Sequence, residues 1–323
     1  MHSKLKAPSP TQIAELNDLP FGVRDFIFVE GILEKDYLFV AISDMRISSR
    51  IDAYITNITF PWEKDIGAHV TVGALVVYSI DKDSKNELEW KFEKRWAKSY
   101  PYQTNILVWE VNTKLLCLGM DDGNIYILRL PLEYKFLQYE EVATLKFHSA
   151  RVMGIAIDYK NSFLISIGED KKLVITDLNY MERIFDNTIG SFPLKTLIYD
   201  PEFSRIFIAN GGGELIIYQI SHLPPSLLRH VESASNAMIR GMVSDYNKNY
   251  LFTCAFDGII TIFDLGAPGK ERFVKPISKI EGMIGARYLE WRSKLNELIV
   301  SYENGQIIIF NTKQGVIQCI IFN

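Results

Sequence analysis

Short apolar runs separated by polar turns recur along this chain, and their spacing limits the fold more than any other feature. The clearest stretch is HSARVMGIAIDYKNSFLISIGEDKKLVITDL (148–178). It predicts three strands, Val152–Asp158, Ser162–Gly168 and Lys172–Leu178, each rich in Ile, Val and Leu. Polar turns at Tyr159–Asn161 and Glu169–Lys171 separate them. Asp170 in the second turn has counterparts at Asp122, Gly212, Asp257 and Asn304, with intervals of 48, 42, 45 and 47 residues. Two further offsets repeat in step. Twelve positions before each turn residue stand Glu110, Asp158, Asp200, Asp245 and Arg292, and six positions after it Leu128, Thr176, Tyr218, Phe263 and Phe310. In four of the turns the marked residue is followed by Gly (122–123, 212–213, 257–258 and 304–305). A tight hairpin needs positive φ here, which Gly accepts without a steric penalty.

A fourth strand closes each unit. In ELEWKFEKRW, Leu88, Trp90 and Phe92 alternate with charged residues, the period of a strand with one wet face. Glu141–Phe147, Phe273–Ile280 and Val316–Phe322 fill the same slot later. The first unit is irregular: its strands are Arg24–Glu30, Asp36–Ile42 and Gly73–Ile80, with an insertion at 44–72 between the second and third. Six four-stranded units of this size, each burying both faces against neighbours, predict an all-β propeller. The expected organisation is a tail or closing strand at 1–19 and one propeller domain over 20–323. The last unit already has its own fourth strand, so the ring has six blades, or seven with one that the pattern does not mark.

Here the residues resemble the WD-repeat family, whose pattern sets a His before the first strand, Ser or Thr in the second, Asp in the turn and Trp in the third. His148, Ser166 and Asp170 match, and Thr176 replaces the Trp. The stretches HSARVMGIAIDYKNSFLISIGEDK and YLFTCAFDGIITIFDLGAPGKER are similar to the propeller of WD-repeat proteins that carry a FYVE zinc finger. A FYVE finger needs about eight cysteine ligands in CxxC pairs. This chain has three cysteines, Cys117, Cys254 and Cys319, set far apart. The resemblance therefore implies the scaffold without the finger.

In the family, His148, Ser166 and Asp170 correspond to a structural hydrogen-bond network. The same residue types could be read as a hydrolytic triad, but no nucleophile elbow accompanies them. No paired nucleophile and base occurs elsewhere, so the expectation is no enzyme and no cofactor. Metal sites are not expected either: the five His are scattered, with no CxxC or HxxxH spacing. Cys117 and Cys254 read as small buried hydrophobes. The glycines at 211–213 read as a turn, since a strand follows them where a phosphate loop needs a helix.

The functional lead is basic. Seventeen positions before the turn residue lie Asn105, Met153, Lys195, Arg240 and Arg287, so three successive units place a cation at the start of the innermost strand. Arg151 lies two residues before its unit's slot. In a propeller these positions converge on one channel mouth. Tyr100 and Tyr102, with Phe147 and Phe192, are expected in the loops entering the same strands, and Arg with aromatics is the usual composition of interface hot spots. Two readings stand together: the cations take an acidic peptide segment or a phosphate group, or they pair with neighbouring carboxylates such as Glu281 or Glu232.

The expected function is a non-enzymatic protein–protein interaction scaffold, on its own or as a subunit of a larger complex. The alternative is a phosphoinositide-binding propeller recruited to membranes; such propellers carry an FRRG motif, and no RR pair occurs here. Composition narrows the rest. Thirty-five basic against 39 acidic residues leave a net charge of −4, which disfavours nucleic acid as partner. Three cysteines suit a reducing compartment, and cytoplasmic location is the expectation. The longest apolar run, Val70–Ile80, is interrupted by Gly73 and Ser79 and is too short to span a bilayer as a helix. The N-terminal MHSKLKAPSPTQ lacks the apolar core of a secretory signal.

Overall fold

A computed structural model of the chain describes residues 22–32, 35–43, 73–82, 90–130, 139–245, 249–265, 275–312 and 316–321. Two compact units make up the chain: one holds the described residues up to Asp170 with 174–184, the other those from Phe185 onward with 171–173.

Among the described residues there is no helix; twenty-four strands form six four-stranded antiparallel sheets. The first sheet comprises β1 (Gly22–Ile32), β2 (Lys35–Ser43), β3 (Gly73–Lys82) and β4 (Trp90–Tyr100). The second comprises β5 (Thr104–Glu110), β6 (Leu115–Met120), β7 (Ile125–Arg129) and β8 (Glu140–Leu145). The third has β9 (Val152–Asp158), β10 (Phe163–Gly168), β11 (Lys172–Asp177) and β12 (Glu182–Thr188). The fourth has β13 (Leu194–Asp200), β14 (Arg205–Asn210), β15 (Leu215–Gln219) and β16 (Ser226–Val231). The fifth runs through β17 (Ile239–Asp245), β18 (Tyr250–Ala255), β19 (Ile259–Asp264) and β20 (Lys275–Glu281). The sixth runs through β21 (Ala286–Arg292), β22 (Glu297–Tyr302), β23 (Ile307–Asn311) and β24 (Val316–Ile321). Strand order in every sheet follows chain order, so among the described residues no sheet borrows a strand from elsewhere. The expected first-unit strands are all present, while the insertion at 44–72, the segment 1–19 and Leu88 lie outside the described residues.

The second strands show why these sequences build sheets buried on both sides. All six residues of β6 are buried. Leu116 and Leu118 face one cluster with Phe39, Leu75, Val77 and Trp96 of the first sheet. Leu115 and Cys117, on the other face, join Ile125, Val152, Ile155 and Leu164 towards the third. In the other unit β18 divides likewise: Leu251 packs with Phe207 and Leu215, Phe252 and Cys254 with Leu289, Leu298 and Val300. Side chains alternate along a strand, so a run of consecutive apolar residues supplies two cores at once.

The turns explain the repeated offsets. In the second hairpins, Met120 N–H donates to Asn124 O and Gly123 N–H to Met120 O, leaving Gly123 at φ 88°. This is a three-residue hairpin closed by a bulged glycine. Gly213, Gly258 and Gly305 repeat it at φ 82°, 87° and 82°, and Lys171 adopts φ 68° without being glycine. In the first hairpins the recurring acid caps the turn. Asp158 Oδ1 accepts from the Lys160 and Asn161 amides at 3.1 and 3.3 Å, and Asp200 Oδ1 from Glu202 and Phe203 at 3.0 and 3.3 Å. Four residues after each capping position comes a left-handed residue: Lys114, Ser162, Ser204, Asn249 and Asn296, all with φ between 50° and 57°.

Candidate functional site

The six first strands share one irregularity at their N-terminal ends. Ile239 pairs with Ala255 and Gly241 with Cys254, so Arg240 is an extra residue without a partner on β18. The same two-against-one arrangement isolates Lys195 between Leu194 and Thr196, and Arg287 between Ala286 and Tyr288. It isolates Asn105 and Met153 in the second and third sheets. These are β-bulges, which interrupt the ladder and re-aim the side chain of the extra residue. The slot seventeen positions before the turn is therefore a backbone feature. The bulge of β1 falls on Arg24, between Val23 and Asp25. Arg24 thus joins the set, and sequence reading missed it because the 44–72 insertion breaks the turn register of the first unit.

Within the unit that begins at Phe185, Arg240 and Arg287 meet on one carboxylate. Arg240 Nη1 donates to Glu303 Oε1, and Arg287 Nε lies 3.5 Å from the same oxygen. The hydrogen bond from Arg240 and the two positive charges hold the Glu303 carboxyl below its ordinary range. The guanidinium of Arg240 lies 4.5 Å from the centre of the Phe256 ring. Glu303 therefore takes the neutralising place that sequence reading gave to Glu281 or Glu232. Lys195 occupies the same slot one sheet earlier, half-buried.

Of the remaining expected contacts, Arg151, Tyr102, Tyr100 and Phe147 belong to the other unit, and Phe192 to the one that begins at Phe185. Arg151 Nε lies 3.0 Å from Asp121 Oδ1. Tyr102 is exposed in the connection between β4 and β5. Tyr100 is not a loop residue: it ends β4, is 2% exposed and packs with Trp96 and Leu118. The alternating strand simply runs further than its sequence signal. Burial pushes the Tyr100 hydroxyl well above its ordinary range. Phe192 covers Gly212, where a Cβ would lie 2.3 Å from its ring. Phe147 is half-buried, with Arg183 5.6 Å from the ring centre.

His148, Ser166 and Asp170 come together in the third sheet. Nδ1 of His148 lies 3.0 and 3.2 Å from the two Asp170 oxygens, and Nε2 lies 2.9 Å from Ser166 Oγ. Asp170 Oδ2 also accepts from the Ser149 amide at 3.0 Å. Serine to imidazole to carboxylate is the connectivity of a hydrolytic triad. Burial argues against that chemistry, because Ser166 is 0% exposed in the middle of β10 and no substrate carbonyl could reach its hydroxyl. Elsewhere the equivalent turn residue does something simpler: Asp122, Asp257 and Asn304 each accept the amide two residues on, at 3.0 Å. The thiols of Cys117 and Cys254 are free and buried, and burial pushes both up to about 12, far from a reactive thiolate. Among the described residues no cluster of His, Cys, Asp and Glu could hold a metal ion. Nor is any helix there long and apolar enough to cross a membrane.

Known proteins resemble this arrangement. The solved WD40 β-propeller domain of Doa1 superposes with a TM-score of 0.65 at 13% sequence identity, covering 94% of this chain and 83% of that one. The fold is a WD-repeat-type β-propeller with six four-stranded blades. Two curated relatives are each a WD repeat and FYVE domain-containing protein 2. The one from Caenorhabditis briggsae is 22% identical over 177 residues, and the one from Caenorhabditis elegans 23%. Each match covers 54% of this chain and 40% of the relative, so the chain matches well under half the length of these relatives. No family model matches. The similarity to these proteins agrees with the reading of the blade sequences, and the lack of paired cysteines sets this chain apart from a FYVE finger.

Proposed function

We propose that this propeller is a non-enzymatic interaction scaffold that binds an acidic segment of a partner protein through its blade-entry bulges. Lys195, Arg240 and Arg287 are the principal contacts in one unit; Arg24, Arg151 and Tyr102 lie at the blade entries of the other. The observation that carries the reading is the bulge itself: one residue per blade is released from strand pairing, and in four of six blades that residue is Arg or Lys. Bulges are a common way to aim a side chain at a ligand. Tyr100, buried at the end of β4, is not part of this set.

The reading is tested by affinity purification with quantitative mass spectrometry, comparing the wild type with a triple variant of Lys195→Glu, Arg240→Glu and Arg287→Glu. Circular dichroism melting serves as the folding control. Partners specific to the wild type should fall away from the folded variant. An unchanged partner set would refute the assignment.

A further inference from the structure

The two arginines of blades five and six share a single carboxylate, which leaves the group with an excess positive charge. The link is loose: Arg287 is 3.5 Å from Glu303 Oε1, with side-chain exposures of 62% and 41%. Exposed ion pairs are worth roughly 0–1 kcal/mol, so exchanging one carboxylate for another at such a site is cheap. The charged group is also bordered by apolar surface. Ile284 is 74% exposed, Tyr288 62%, and Phe256 and Met283 39% each.

Backbone hydrogen bonds fix these residues side by side. Gly285 N–H donates to Phe256 O at 2.8 Å, Glu303 N–H to Gly285 O at 3.0 Å, and Gly282 N–H to Gly258 O at 2.9 Å. The 282–285 loop is thereby held between the two second hairpins, and the Arg240–Phe256 stacking fixes one guanidinium on that platform. Exposed large apolar side chains next to unneutralised charge mark an interaction surface rather than an ordinary solvated face.

We propose that Glu303 stands in for a partner's carboxylate, and that this surface takes a peptide segment with an acidic residue beside a large apolar one. The incoming carboxylate displaces Glu303 from Arg287, while its apolar neighbour covers Ile284, Met283 and Phe256. Charge complementarity argues for a peptide over a membrane: lipid-binding clusters usually carry about four to eight Lys or Arg, and two arginines with an interposed glutamate fall short. The inference rests on the proposed role of the bulge cations and sharpens it into a sequence class and an exchange step.

The test is fluorescence anisotropy with a fluorescein-labelled peptide of alternating glutamate and leucine. Control peptides carry Gln for Glu or Ser for Leu. Glu303→Gln removes the internal competitor and should tighten binding by roughly three- to tenfold. Arg287→Glu should abolish it, Ile284→Ser should weaken it, and both control peptides should bind poorly. Circular dichroism establishes that each variant is folded.

If the wild type binds and Arg287→Glu does not, but Glu303→Gln leaves affinity unchanged or lowers it, the exchange step is refuted while the role of the bulge cations stands. If wild type and Glu303→Gln both ignore the peptide, the peptide class is refuted. If in addition both co-sediment with phosphoinositide vesicles in an Arg287-dependent way, the protein-segment reading of these arginines falls too.

Discussion

Asp170 and Asp257 occupy the same register position, yet the structure assigns them very different costs on removal. Asp170 accepts the His148 Nδ1 proton between its two oxygens, at 3.0 and 3.2 Å, and the Ser149 amide at 3.0 Å. With Nδ1 as donor, Nε2 accepts from the Ser166 hydroxyl at 2.9 Å, so the carboxylate also fixes the tautomer on which that bond depends. The His148 side chain is 0% exposed, so water cannot replace the lost acceptor. One hydrogen bond to a charged group, an unsatisfied buried donor and a lost amide contact together predict a loss of roughly 3–4 kcal/mol for Asp170→Ala. Asp257 accepts the Ile259 amide in a half-buried turn and makes no network beyond it among the described residues, so Asp257→Ala should lose about 1 kcal/mol. Asp170→Asn keeps an acceptor and should fall between the two. Equilibrium urea unfolding, followed by tryptophan fluorescence, measures all three. A difference below about 1 kcal/mol between Asp170→Ala and Asp257→Ala would refute the idea that the network, rather than the turn, is what Asp170 stabilises.

Three further outcomes follow from the geometry. Asp200 and Arg205 form an ion pair with both side chains 0% exposed, so Asp200→Ala should destabilise by roughly 3–5 kcal/mol in urea unfolding, with Arg205→Met in the same background recovering part of the loss. Lys171→Gly should stabilise by about 1 kcal/mol by relieving φ 68°, whereas Gly258→Ala should cost more than about 2 kcal/mol, because its Cβ would sit 2.3 Å from Met283 O; thermal melts separate the two signs. Asp25 accepts the Leu107 amide at 2.7 Å across two blades, and burial pushes its carboxyl up from 3.8 to about 6. The folded state therefore holds this proton more tightly than the unfolded chain, so the contribution of Asp25 to stability is fully present below about pH 4 and is lost, by up to ~3 kcal/mol, as pH rises through about 6; Asp25→Asn should remove that component from urea midpoints measured across the range.

What the sequence reveals here depends on whether a signal is local. The second turns are visible because glycine at positive φ and an amide-accepting Asp or Asn are chemical requirements of a three-residue hairpin. The capping acids are equally plain. Sequence periodicity also marks the bulge slot, although nothing at Asn105 or Met153 says that the residue has lost its ladder partner. β12 and β16 escape notice for the opposite reason. They are outer strands with little apolar alternation, and ERIFDNT has no buried residue, so pairing to β11 alone makes it a strand. The partner of Arg240 and Arg287 is invisible too. Glu303 is 63 residues from Arg240 and 16 from Arg287, and only the packing of adjacent blades brings it to both. The left-handed residues at 114, 162, 204, 249 and 296 could have been found, since Ser and Asn hold four of the five places at one offset.

The bulges carry a consequence for how such a protein diversifies. Six blades keep the same extra residue, but its identity runs Arg, Asn, Met, Lys, Arg, Arg. A position freed from its ladder partner is open to selection for recognition with little penalty in folding. On the role proposed for the bulge cations, single substitutions at these places would retune recognition blade by blade. Specificity can drift across a lineage while the sheets beneath it stay fixed, and close relatives would be expected to differ first at these positions and last in the turns.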